Sequence, residues 1–178
     1  GAVPQSGSRG RHGAHDRPHL GARHGDRALR PGLGAGWNER DFVEYGYPFG
    51  TVGSRMSTFE SAVPRIRRRL GRLNPPPTRR IPILVGGSGP RRTLRLVAEH
   101  ADVWHSFGDA DALRERSAIL AGHAEAVGRP VGEIERSIDV RRRPSEVGQE
   151  LLEAGATLFT VESSGPDYDL DLAAEWVA

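Results

Sequence analysis

Short apolar runs, each followed by a glycine turn and then a helical pattern, recur from Leu33 to the end of the sequence. This alternation restricts the chain to parallel βα units. The clearest unit is Ile81-Pro-Ile-Leu-Val85, a wholly apolar run of the kind buried in parallel sheets. Gly86-Gly-Ser-Gly89 follows, with Pro90 in the first turn of a helix that Thr93, Leu94, Leu96, Val97 and Ala101 continue. Asp102-Val-Trp-His-Ser-Phe107 reads as the next strand. A helix from Ala112 to Val127, a strand from Ser137 to Val140 and a helix opened by Pro144-Ser145 and ending at Ala154 come next. A strand from Thr157 to Val161 and a helix from Leu170 to Val177 close the series. Upstream, Leu33-Gly-Ala-Gly-Trp37 reads as a strand end and a glycine turn. Phe59, Val63, Ile66, Leu70 and Leu73 step by three or four, which predicts a helix from Ser57 to Leu73. Pro64 is a candidate kink within it, and Asn74-Pro-Pro-Pro77 is its stop. Its arginines, Arg65, Arg67, Arg68, Arg69 and Arg72, read as a solvated face rather than a nucleic-acid stripe.

Length bounds the architecture. The chain has 178 residues, enough for one domain. A complete eight-stranded β/α barrel usually needs ~250 residues and rarely fewer than ~200. There is no cysteine, which excludes disulfides, thiolate metal sites and a cysteine nucleophile. All 25 basic residues are arginine, a bias expected of a GC-rich gene. A net charge of only +2 argues against a nucleic-acid partner. No apolar run approaches the ~20 residues of a membrane span, and no apolar leader opens the chain. The expectation is a cytoplasmic protein with no membrane partner.

Residues 1–31 differ from the rest. They lack apolar periodicity, carry six arginines against Asp16 and Asp26, and hold His12, His15, His19 and His24. With no helix to converge these rings, a metal tract is disfavoured, and a segment without regular structure is expected. A sharper reading is translation out of frame. One base onward from Val3, suitable wobble bases let the codons spell Tyr-Arg-Asn-Pro-Asp-Leu and then an amphipathic helix pattern.

Candidate chemistry gathers at the glycine turns. The Gly86–Gly89 turn between a strand and a helix suits a phosphate, with Ser88 as a hydroxyl donor and Arg91 or Arg92 as added charge. It is neither a Gly-Lys-Ser/Thr loop nor a Gly-x-Gly-x-x-Gly turn. Strand alternation places Trp104 and Ser106 on one side, and His105 and Phe107 on the other. His105 at a strand end is a candidate base or cofactor contact. Glu39, Asp41 and Glu44 are read as the exposed start of a helix rather than an acid/base pair, and Ser163-Ser-Gly-Pro166 as a weaker second turn.

Gly34-Ala-Gly-Trp-Asn-Glu-Arg-Asp-Phe42, Tyr45-Gly-Tyr-Pro-Phe-Gly-Thr51 and Gly53-Ser-Arg55 resemble the luciferase-like flavin and deazaflavin oxidoreductases. Leu73–Pro77, Ile81–Gly89, Thr93–Gly108 and Thr157–Val161 continue the resemblance in order. The nearest subgroup is the actinobacterial type that uses the deazaflavin coenzyme F420. The resemblance implies an α/β fold, part of a (β/α)8 barrel, with the cofactor at the C-terminal ends of the strands. It implies that Gly36 and Trp37 approach the deazaflavin ring, and that Gly86, Gly87, Ser88 and Gly89 hold the ribityl and phosphate part. Ser106, with His105 and Phe107, would lie beside that phosphate. No catalytic residue and no metal ligand is assigned.

Family members carry strands and helices before the turn at Gly34, including a helix that reads close to Tyr-Arg-Asn-Pro-Asp-Leu. The sequence is therefore divided into a non-family or out-of-frame segment, 1–31, and the C-terminal part of a luciferase-like barrel, 32–178, whose N-terminal strands are missing. The implied activity is hydride transfer between F420 and a small organic substrate, with this chain alone expected to be inactive. The alternatives are an FMN-dependent monooxygenase of the same barrel, and a non-catalytic binding module or inert product. A homo-oligomer is expected of the intact relative.

Overall fold

The computed structural model describes residues 30–163, 165–166 and 168–177. The expectation for residues 1–31 therefore lies outside the described residues, Arg30 and Pro31 excepted. The elements are β1 (Gly32–Leu33), α1 (Glu39–Glu44), α2 (Val52–Leu70), β2 (Leu84–Gly86), α3 (Thr93–His100), β3 (Val103–Ser106) and α4 (Ala110–Ala126). They continue through β4 (Glu135–Val140), α5 (Pro144–Glu153), β5 (Leu158–Val161) and α6 (Asp171–Val177).

Among the described residues five strands pair in parallel, and their order across the sheet is their order in the chain. Right-handed crossovers between successive neighbours put the described crossover helices on one face. A doubly wound sheet would reverse its strand order and place helices on both faces. The fold is thus a run of consecutive βα units of the barrel type, as expected of part of a (β/α)8 barrel. The helix-facing side of the sheet, with Val85, Trp104 and Ile138, packs on Leu94, Val97, Leu113 and Leu120, all fully buried.

Element boundaries differ from the sequence reading for local reasons. The predicted strand Ile81–Val85 becomes Leu84–Gly86. Pro82 has no N–H to give a ladder. Ile83 is already committed to Asp102: its N–H donates to the carboxylate at 2.8 Å, and its carbonyl accepts from the Asp102 N–H at 2.9 Å. The helix predicted from Ser57 begins at Val52, because Thr51 and Ser54 cap each other's backbone N–H. It passes through Pro64 without a break and ends at Leu70 with Gly71 as its cap. The helix expected to start around Pro90 starts at Thr93, after the Leu94 N–H has turned back to the Gly89 carbonyl at 3.0 Å.

One arginine of the face expected to be solvated is not. Arg67 reaches Asp102 with two hydrogen bonds, of 2.6 and 3.3 Å, and Arg80 binds the same carboxylate. Asp102 is buried just before β3. Burial pushes its carboxyl up, but the Arg67 hydrogen bonds, the Ile83 N–H and the two guanidinium charges outweigh it and hold the group below the usual carboxylate range. This cluster ties α2 to the N-terminal ends of β2 and β3, the end opposite the glycine turns.

Candidate functional site

Parallel register brings the glycine turns to one rim. Gly86 of β2 pairs with His105 of β3, His105 with Ser137 of β4, and Ser137 with Leu158 of β5. One row across the sheet therefore reads Gly86, His105, Ser137, Leu158. Immediately beyond it, β2 and β3 give way to their turns.

The turn after β2 is held from below. The Gly87 N–H donates to the His105 carbonyl at 3.1 Å, and the fully buried Trp104 donates its indole N–H to the Gly87 carbonyl at 2.8 Å. Gly87 has φ +119°, a region that disfavours side chains. A Cβ on Gly89 would come within 2.8 Å of the Thr93 hydroxyl, so only glycine allows the turn to close on α3. In this setting the Ser88 and Ser106 hydroxyl oxygens lie 3.3 Å apart. The N–H groups of Ser88, Gly89 and Arg91 have no acceptor among the described residues, and no side chain caps the start of α3. A hydroxyl pair thus adjoins a turn whose N–H groups are unpaired among the described residues and which leads into a helix start, elements suited to an anionic oxygen cluster.

The charge expected from Arg92 is not available there. Its guanidinium is bound to Glu60 of α2 at 2.9 and 2.5 Å and to Ser57 at 3.1 Å. Arg92 thus fastens α3 to α2. Arg91 is exposed and makes no ion pair among the described residues.

The alternation around His105 is as expected. Trp104 and Ser106 face the helices and are buried, whereas His105 is half-buried on the opposite, inner side. The exposed Phe107 ring meets the His105 ring edge-on at 4.8 Å. The His105 Nδ1 lies 2.9 Å from the Ser137 hydroxyl. Burial pushes the imidazole below its ordinary pKa, and the negative charge of Asp139 opposes this only in part. His105 is therefore uncharged at neutral pH.

The first turn is further from this centre. Gly36 has φ +77° and packs on Phe42, whose ring would lie 2.6 Å from a Cβ there. Its carbonyl accepts from Arg55 at 3.1 Å. Trp37 is 87% exposed. Both residues stand at the C-terminal end of β1, on the same rim as Gly86–Gly89, but no hydrogen bond joins either to the serine pair. Glu39, Asp41 and Glu44 lie exposed on α1, which Asn38 caps. Ser163 closes its own turn by donating to the Asp169 carbonyl at 2.9 Å.

Several features escaped the sequence. Nothing in the alternation of β4 marked Ser137 or Asp139 as partners of His105, because their roles depend on register. A cavity of about 290 Å³ opens at the ends of β3 and β4, lined by Phe107, Asp109, Asp139, Arg141, Val147 and Glu150. Its formation depends on two loops that are distant in the chain.

A family model described as luciferase-like monooxygenase matches residues 29–154, which carry β1 to β4 and both serine-bearing turns. The chain belongs to the luciferase-like monooxygenase family. Among solved structures of similar fold is an F420-dependent secondary alcohol dehydrogenase in complex with an F420-acetone adduct. That match has TM-score 0.62 and 14% identity, and covers 78% of this chain and 65% of the other. The coenzyme F420-dependent tetrahydromethanopterin reductase from Methanopyrus kandleri matches with TM-score 0.46 and 17% identity, over 69% of this chain and 44% of that one. An EDTA monooxygenase from Chelativorans sp. BNC1 matches with TM-score 0.46 and 20% identity, over 68% and 38%. No curated protein matches the sequence significantly. The chain thus spans less than two thirds of the length of these structures. As a luciferase-like family member it has no described helix long and apolar enough to cross a membrane.

Proposed function

We propose that this chain carries the cofactor-holding part of an F420-dependent oxidoreductase that moves a hydride between the deazaflavin and a small organic substrate. The observation that carries the reading is the meeting of Ser88 and Ser106 at the rim, 3.3 Å apart, beside backbone N–H groups that have no partner among the described residues. The similarity to an F420-dependent alcohol dehydrogenase supports the same choice.

The residues fit a planar cofactor with an anionic tail. Gly86 leaves the inner face open: a Cβ there would meet nothing nearer than the Leu33 carbonyl, at 3.9 Å. Ser88, Ser106 and the turn N–H groups would hold the phosphate of such a tail by hydrogen bonds. His105, whose charged form burial disfavours, and the Phe107 ring that meets it edge-on would border the ligand on the inner face. Hydride donation or acceptance is the chemistry that a bound deazaflavin supplies. The protein's part is to hold, orient and keep dry.

The family description names a monooxygenase, which favours FMN as the second reading. Fluorescence titration of the chain with oxidised F420 and, separately, with FMN distinguishes the two. Saturable binding of F420 that is at least tenfold tighter than FMN is the expected result. The reverse order establishes the flavin reading, and saturation by neither removes both. The described strands would line such a cofactor from one side only, and weak affinity without turnover is what we expect of this chain alone.

A further inference from the structure

Ser137 sits fully buried in the middle of β4, yet its hydroxyl has a single hydrogen-bond partner among the described residues, the His105 Nδ1 at 2.9 Å. A neutral imidazole is a donor at one nitrogen and an acceptor at the other. If Nδ1 carried the proton, it would donate to Ser137, and the serine hydrogen would be left in a dry interior with no acceptor. If Nδ1 is bare, the hydroxyl donates to it, and both groups are satisfied. The penalty for a buried, unsatisfied donor favours the second arrangement by roughly tenfold or more.

The other ring nitrogen is then the donor. Nε2 has no acceptor among the described residues, and no side-chain nitrogen or oxygen is both buried and unsatisfied. It therefore opens onto the inner face of the sheet. On that face the neighbouring residue in the row is Gly86, which has no side chain to fill the space.

We propose that Ser137 is a positioning residue that fixes His105 as its Nε2–H tautomer, so that His105 presents an N–H donor to an oxygen acceptor of the ligand bound beside Gly86. The ligand half of this statement rests on the proposed cofactor site; the tautomer half does not. A carbonyl or ring oxygen of the cofactor or substrate is the chemistry such a donor recognises, whereas a ring nitrogen that is itself protonated would be rejected. The edge-on Phe107 ring limits rotation of the imidazole from the other side.

The test uses the full chain labelled with ¹⁵N. Long-range proton–nitrogen correlation at pH 8 reads the tautomer of each histidine, and His105→Gln identifies the His105 signals by their loss. The expected pattern is Nε2–H for His105. Ser137→Ala should shift the tautomer ratio by about tenfold towards Nδ1–H, and Ser137→Thr, which keeps the hydroxyl, should restore the original pattern. An Nδ1–H or evenly mixed pattern in the unmodified chain overturns the proposal, as does a pattern that Ser137→Ala leaves unchanged. Should Ser137→Ala fail to fold, the unmodified chain and Ser137→Thr still decide. Oxidised F420, FMN and inorganic phosphate are then added in separate samples. Movement of the Nε2–H signal with F420 or FMN but not with phosphate supports the ligand half. An Nε2–H pattern that no addition moves contradicts that half, and with it the proposed cofactor site, while the tautomer lock stands.

Discussion

The hydroxyl oxygens of Ser88 and Ser106 lie 3.3 Å apart, although 18 residues separate them in the chain. The whole of α3 intervenes. They meet because parallel strands joined by a right-handed crossover end on the same side, and because the Gly87 N–H and the Trp104 indole close the turn down onto β3. If this pair holds a phosphate, each serine contributes a hydrogen bond to a charged acceptor. Ser88→Ala and Ser106→Ala should each weaken coenzyme binding by roughly tenfold, from about 1.5 kcal/mol per bond. The double variant should fall short of the sum because the two hydroxyls touch. Titration calorimetry on the three variants measures this.

Trp104→Phe should destabilise the fold by about 2–4 kcal/mol, since it leaves a gap at a fully buried site and strips the Gly87 carbonyl of its donor. Urea denaturation gives the value. A loss under about 0.5 kcal/mol would mean that the indole N–H does not hold the turn.

Asp102→Asn should cost about 2–3 kcal/mol, at the lower end for a broken buried pair because Arg80 reaches solvent. The pH dependence has a definite sign. The folded pKa of Asp102 lies below its ordinary value, so its contribution is complete above about pH 4 and is lost as pH falls through the folded value. With Asp102→Asn the acid limb of the stability curve should be shallower than in the unmodified chain. Chemical denaturation between about pH 2 and pH 7 tests it.

His105 should titrate below the ordinary histidine value, since burial disfavours its charged form. A folded pKa depressed in this way makes a contribution that is complete above about pH 6.5 and declines as pH falls through the folded value. His105→Gln should therefore lose part of the stability decline between about pH 6.5 and pH 4. Proton NMR titration of the imidazole gives the pKa directly, and a value above about 6.5 would contradict the burial argument.

The succession of strands and helices was legible because each βα unit carries its own apolar run and its own stop, as Ile81–Gly89 does. The rim was legible too, because every βα turn of a parallel sheet falls on one side. What could not be read were the pairings set by register and by helix rotation. Arg67 looked like its solvated neighbours, yet the rotation of α2 aims it at Asp102. Arg92 looked like a phosphate ligand, yet Glu60 holds it. Ser137 looked like an ordinary polar strand residue, and only the alignment of β3 with β4 makes it the partner of His105.

The most direct test of where the cofactor sits is a proton–nitrogen correlation spectrum of the chain, recorded as oxidised F420 is added. The largest shifts should fall on Gly86–Gly89 and on His105–Phe107, with smaller ones at Gly36 and Trp37. Shifts confined to the helices, or an unchanged spectrum at saturating coenzyme, would contradict a cofactor site at this rim.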